Sequence, residues 1–223
     1  LGLSTITQHA RTGDEVIVDG NNGTVIVNPD AGTRQKYQSS SEAYQEREIE
    51  LLSLNELPAE TRDGKLIKLM ANIEVPEETE SVLAHGADGI GLYRSEFLFL
   101  RPDGLPTEDV QYEAYSRVLS GSGGKSVTIR TLDLGGDKTI SGMPGIDEAN
   151  PILGWRAIRF CLSQPDMFLV QLRAILRASV HGNLQIMFPM ISGLEELEKA
   201  LSILDQAKDS LRSAGEEYDV NIP

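Results

Sequence analysis

One pattern constrains this chain more than any other. After about residue 65, an apolar strand-like run is followed by a helix-like run, four times over. The strand-like runs are Leu66–Ile73, Gly89–Tyr93, Ser126–Arg130 and Leu184–Phe188. Short apolar runs separated by helices of ten residues or so mark parallel strands buried on both faces. The helical runs carry their own signals. Pro76 with Glu77 and Glu78 opens the first, and Gly86 closes it. The second spans 107–120, with Val110, Ala114, Val118 and Leu119 on one face. Two helical stretches, 153–163 and 165–179, follow the third strand. The last helix starts with the capping-box pair Ser192 and Glu195 and carries Leu194, Leu197, Leu201, Leu204 and Leu211. Four such units make either a small open sheet or half of an eight-stranded barrel.

The first 64 residues follow a different rule. Glu15–Asp19 and Thr24–Asn28 flank Gly20-Asn-Asn-Gly23, a hairpin turn signal. Two strands make no core alone, so residues 1–32 read as the tail of a larger domain. Residues 33–52 are polar, lack Gly and Pro, and repeat Tyr37, Tyr44 and Leu51 at sevens. That predicts a long, partly exposed helix inside a linker over 33–64. Residues 65–223 hold the βα units.

Composition excludes some functions. Twenty Lys and Arg against 34 Asp and Glu leave a net charge of −14, which disfavours nucleic acid and anionic membrane as partners. No apolar run approaches the roughly 18 residues of a membrane span. A lone cysteine, Cys161, permits no internal disulfide and favours a reducing compartment.

In parallel α/β folds, chemistry gathers just past the C-terminal ends of the strands. Those positions read Gly91-Leu-Tyr-Arg94-Ser-Glu96, Arg130-Thr-Leu-Asp133-Leu-Gly-Gly-Asp137-Lys138 and Met187-Phe-Pro189-Met190, with Trp155-Arg156 where the next helix begins. A cationic focus in an acidic chain is informative. Arg94, Arg130 and Arg156 have the planar fork that grips phosphate or carboxylate oxygens in pairs. The competing reading pairs each arginine with a nearby acid, Glu96, Asp133 or Glu148. Gly135-Gly136 suits a loop that lets backbone approach a ligand.

Other reactive residues read as structural. Cys161 sits on an apolar helix face beside Phe160 and Leu162, and His85 and His181 precede helix-ending glycines. His9, in Thr5-Ile-Thr-Gln-His9, is the most tempting nucleophile and reads as incidental. Met187 and Met190 read as pocket wall. No metal-site spacing, phosphate-binding loop or dinucleotide fingerprint is present.

At the strand ends the wording becomes familiar. Gly-Ala-Asp-Gly-Ile-Gly-Leu-Tyr-Arg-Ser-Glu-Phe-Leu-Phe (86–99) resembles the second barrel strand of the phosphoenolpyruvate-protein phosphotransferases, enzyme I of the bacterial sugar phosphotransferase system. So do segments 128–138, 150–159, 171–179 and 186–191. The resemblance implies an α/β chain: the first four units of a (β/α)8 TIM barrel, preceded by a linker helix and the C-terminal hairpin of a swivelling phosphohistidine domain. It implies a phosphoryl group moving from phosphoenolpyruvate to an enzyme histidine, then to the histidine carrier protein that drives sugar uptake. Arg94, Arg130 and Arg156 are implied substrate-phosphate ligands. The phosphorylated histidine, the general acid and the Mg2+ ligands are expected outside these residues, so the chain by itself is expected not to turn over. A cytoplasmic homodimer is expected for the intact protein. Alternatives are a nitrogen-regulatory or fused paralogue, the barrel of a pyruvate phosphate dikinase or phosphoenolpyruvate synthase, and a non-catalytic anion-binding module. Four strands without closure would leave an open edge and an uncovered apolar interior.

Overall fold

The computed structural model describes residues 5–100, 104–134 and 154–223. The chain forms two compact units, Leu1–Glu56 and Leu57–Pro223.

The first unit holds a short helix α1 (Ile6–His9), the antiparallel pair β1 (Val16–Asp19) and β2 (Thr24–Val27), and helix α2 (Ala31–Leu52). The turn between the strands is built on Asp19, whose carboxylate accepts the Asn21 and Asn22 amide N–H groups at 3.0 Å each. Asp30 caps α2 by accepting the Thr33 N–H at 2.6 Å. No residue of α2 is buried. Its helicity therefore rests on local propensity and capping, with no apolar stripe to dock it.

The second unit carries the four βα units. Its parallel sheet runs in chain order, β3 (Met70–Ile73), β4 (Gly89–Arg94), β5 (Ser126–Arg130) and β6 (Leu184–Met187). The helices are α3 (Thr79–Ala84), α4 (Glu108–Gly121), α5 (Ile158–Ser163), α6 (Pro165–Ala178) and α7 (Leu194–Ala214). Side chains alternate across the strands. Ile73, Val127, Ile129 and Leu184 are buried in the core with α4, α6 and α7, while Asn72, Thr128 and Gln185 lie on the other face. The helices thus cover one face of the sheet. The opposite face is more polar than the apolar interior expected from the strands, and Thr128 and Gln185 hydrogen-bond across it at 3.1 Å.

The glycines of β4 have a packing reason. A Cβ on Gly91 would lie 2.7 Å from the Met70 Cβ, and one on Gly89 2.6 Å from the Ser126 carbonyl oxygen. Strands β3 and β5 approach β4 too closely for a side chain there.

Four expectations need correction. The first strand is four residues shorter at its start than predicted. Ile67 N–H donates to the Ala59 carbonyl at 2.8 Å and Glu60 bridges Leu66, so 65–67 turns back on 59–61 before β4 begins to pair. The helix predicted from 153 begins at Ile158, because Ala157 sits at φ 54°, outside helical space. In α7 only part of the leucine set is buried: Leu211 lies in the core with Ala200, Ile203 and Ala207, whereas Leu194 is 69% exposed, since small residues let α6 approach. Finally, α7 is capped by Glu196 in place of Glu195. Gly193 takes the N-cap position, which puts Glu196 at N3, where it accepts the Ser192 N–H at 2.8 Å and hydroxyl at 2.9 Å. The Ser192 amide holds the Glu196 carboxyl below the usual range.

The minor histidines behave structurally. His85 terminates α3 and Nδ1 meets the Ser81 carbonyl at 2.7 Å. His181 Nε2 meets the Tyr112 hydroxyl at 2.9 Å, and His9 Nδ1 the Thr5 carbonyl at 2.9 Å. Cys161 is fully buried. Burial, with Asp133 nearby as a second cause, pushes its thiol far up, so it is no nucleophile.

Candidate functional site

The site is assembled at the C-terminal ends of β4 and β5. Arg94 and Arg130 are register partners, the last residues of their strands. Adjacent strands lie about 4.8 Å apart, so the two arginines start from neighbouring points on one face. Arg156 arrives from the N-terminal side of α5. It joins the pair through Asp133: its Nε and Nη2 bond Asp133 Oδ1 at 2.9 and 2.8 Å, while Arg130 Nη1 meets Oδ2 at 3.0 Å. One buried carboxylate thus holds two guanidinium groups side by side.

Glu96 completes the arrangement. Its Oε1 accepts Arg130 Nη2 at 2.8 Å and the Asp133 N–H at 3.0 Å. Arg94 turns to Glu74, 2.7 Å away at the end of β3. The acid-pairing reading therefore holds for all three arginines, with Glu74 as a partner that spacing did not suggest. Glu148 and the Gly135-Gly136-Asp137-Lys138 loop lie outside the described residues. Pairing and anion binding are compatible. A guanidinium has five N–H donors in a fixed fork, and carboxylates on one edge aim the other edge. Arg94 Nε and Arg130 Nε are buried without an acceptor among the described residues, and Glu96 Oε2 is buried without a donor. Among the described residues, these three arginines and their three acids cancel, so this part of the site is arranged but close to neutral.

The turn that presents Arg130 and Asp133 is pinned at each step. Ser95 Oγ donates to the Arg130 carbonyl at 2.8 Å, and Thr131 N–H to the Met187 carbonyl at 3.0 Å. Leu132 N–H donates to Gln171 Oε1 at 2.9 Å, and Ala157 N–H to the Leu134 carbonyl at 3.2 Å. Gln171 is a polar residue on the buried face of α6. It opens the family-like segment 171–179 but is not among the candidate site residues, and its signals are that segment and a glutamine amid Phe168, Leu172 and Ile175. Backbone strain gathers at the same end. Ala157 (φ 54°) and Met190 (φ 59°) are both non-glycine residues in left-handed space. Each costs about 1–3 kcal/mol, and such strain concentrates at ligand sites.

Among the described residues, no cluster of three or more His, Cys, Asp or Glu side chains could hold a metal. Glu96 and Asp133 already spend oxygens on arginine. No helix among the described residues is long and apolar enough to cross a membrane.

A family model described as "PEP-utilising enzyme, PEP-binding domain" matches residues 49–223. A protein of Staphylococcus aureus named phosphoenolpyruvate-protein phosphotransferase is 47% identical over 222 residues, covering 100% of this chain and 39% of that protein. Proteins of the same name from Staphylococcus carnosus (44%, with 100% and 39% covered) and Geobacillus stearothermophilus (47%, with 96% and 37% covered) are similar as well. This chain thus spans under two-fifths of the length of those relatives, and it belongs to the family of PEP-utilising enzymes, through their PEP-binding domain.

Proposed function

We propose that this chain is part of a phosphoenolpyruvate-protein phosphotransferase and supplies cationic residues that bind the phosphate of phosphoenolpyruvate. The observation that carries the reading is Arg94 and Arg130 at neighbouring strand ends, with Arg156 tied to Arg130 through Asp133. The matched family and the relatives' names support it.

The chemistry follows from the substrate. The enol phosphate's P–O bond breaks as a P–N bond forms to a histidine nitrogen, and the released enolate takes a proton to become pyruvate. Such transfer needs alignment and neutralisation of oxygen charge more than covalent help. Arg94, Arg130 and Arg156 would meet the phosphate oxygens. No residue of this chain is assigned the accepting histidine, the proton donor or the Mg2+ ligands. The described residues offer no Mg2+ site, and a near-neutral arginine cluster is what a multiply charged anion would share with a cation held elsewhere in the protein.

The same reading assigns 1–32 to the tail of a phosphohistidine domain, 33–64 to a linker and 65–223 to half of a (β/α)8 barrel. Its support is the unreversed strand order and the helices on one sheet face, where a doubly wound sheet would reverse its order. The histidine carrier protein as acceptor, a cytoplasmic homodimer and a silent isolated chain belong to this proposal.

The test is phosphoryl transfer from labelled phosphoenolpyruvate to the carrier protein in the full-length enzyme. Arg94→Ala and Arg130→Ala should each lower kcat/KM by about 100-fold or more, the scale of one lost preorganised charge contact. Near-normal rates would sink the assignment. Carrier phosphorylation by residues 1–223 alone would refute the expected silence of the isolated chain.

A further inference from the structure

Gln171 sits fully buried on α6, yet two of its hydrogen bonds lead to the turn that carries Arg130 and Asp133. Its Oε1 accepts Leu132 N–H at 2.9 Å. Its Nε2 donates to Ser95 Oγ at 3.1 Å and to the Tyr115 hydroxyl at 3.2 Å. Both hydroxyls pass the bond on. Ser95 donates to the Arg130 carbonyl at 2.8 Å, and Tyr115 to Gln111 Oε1 at 3.1 Å. Gln111 in turn donates to the Pro106 carbonyl at 3.1 Å. Ser95, Gln111, Tyr115 and Gln171 are each at most 1% exposed.

The direction of this network is forced. Leu132 N–H is only a donor, so the amide oxygen must face it and the amide nitrogen must face the two hydroxyls. Flipping the amide would set donor against donor. The two branches through Leu132 and Ser95 grip the backbone on both sides of Thr131, within the turn that carries Arg130 and Asp133. Burial makes each bond hard to replace, because no water competes and a lost partner stays unpaired.

Resting on the proposed arginine site, we infer that Gln171 is a positioning residue for anion binding: it sets the Arg130–Asp133 turn from behind, through Leu132 N–H and Ser95. A misplacement of about 1 Å at a charged contact weakens binding and catalysis strongly, and this amide is the element that links α6, α4 and the two strand ends.

The experiment measures phosphoenolpyruvate affinity by calorimetry in the full-length protein, with far-UV circular dichroism checking the fold of each variant. Gln171→Met keeps the volume and removes all three bonds. Leu172→Ala, the next residue on α6 and also fully buried, destabilises the same helix without touching the network. Gln171→Met should weaken binding about ten-fold or more, with Leu172→Ala within about two-fold of the parent. Should both variants shift affinity alike, Gln171 is merely structural and the inference fails. It also fails if Gln171→Met binds normally while Arg130→Ala loses binding, and the arginine reading then survives. Normal binding by Arg130→Ala would overturn the arginine reading itself. If Gln171→Met does not fold, Ser95→Ala decides alone. It removes the Gln171–Ser95–Arg130 branch and leaves the Leu132 branch in place, should weaken binding several-fold, and refutes the inference if it does not.

Discussion

Asp133→Asn is the sharpest perturbation of this architecture, because it changes charge and almost nothing else. The amide oxygen can still take Arg156, which bonds a single oxygen of Asp133. The amide nitrogen then replaces Oδ2 and faces Arg130 Nη1 at 3.0 Å, donor against donor. A lost hydrogen bond to a charged group is worth about 1.5–3 kcal/mol, and breaking a buried ion pair about 3–5 kcal/mol. The Asp133 side chain is 8% exposed, but those of Arg130 and Arg156 are 20% and 23% exposed. Solvent therefore relieves part of the cost, and about 2–3 kcal/mol of stability should be lost. With a urea slope of about 2 kcal/mol/M, the unfolding midpoint falls by about 1 M. The sole tryptophan, Trp155, adjoins Arg156 and reports the transition by fluorescence. Glu77→Gln, which breaks the exposed Arg117–Glu77 pair at 2.5 Å, is the control and should leave the midpoint in place. A midpoint unchanged in Asp133→Asn would refute the claim that this carboxylate holds the arginines together.

Further outcomes follow from the same geometry. Ala157→Gly should leave stability unchanged or raise it by about 1 kcal/mol, because glycine relieves the φ of 54°; a clear loss in calorimetry would contradict the strain. Gly91→Ala should destabilise by about 1–3 kcal/mol, since its methyl would meet Met70 Cβ at 2.7 Å; an unshifted thermal midpoint would show that β3 yields freely. Cys161 should resist thiol reagents until the protein unfolds. Its thiol is raised in the fold from an ordinary 9.0, so above about pH 9 the unfolded chain ionises while the native thiol stays protonated. Stability should then fall as pH rises, by up to about 1.4 kcal/mol per pH unit from this group. Rapid labelling of the native protein would contradict this.

Much of the second unit was legible from periodicity and punctuation. Strands β4, β5 and β6 lie within a residue or so of their apolar runs, and Thr107 and Pro165 mark the starts of α4 and α6. The arginines were visible because strand ends are where parallel folds place chemistry. What failed was whatever depends on a neighbour distant in the chain. The first strand was overestimated because its leading residues have an apolar pattern but no strand to pair with. The buried side of α7 departs from the leucine spacing because Ala200, Ile203 and Ala207 join Leu211 there, and the small alanines let α6 approach.

The sequence by itself determined the alternation of elements, the acidic balance, and the presence of arginines at two strand ends and one helix start. These depend on residues a few positions apart, where backbone geometry and side-chain period act directly. Only the tertiary structure decided that Glu74 takes Arg94, that Asp133 joins Arg130 to Arg156, and that Gln171 supports the turn between them. Ser95 and Gln171 are 76 residues apart in sequence. Partners at that distance meet only after the sheet has formed, and a buried donor then bonds to whichever acceptor the packing has placed within reach.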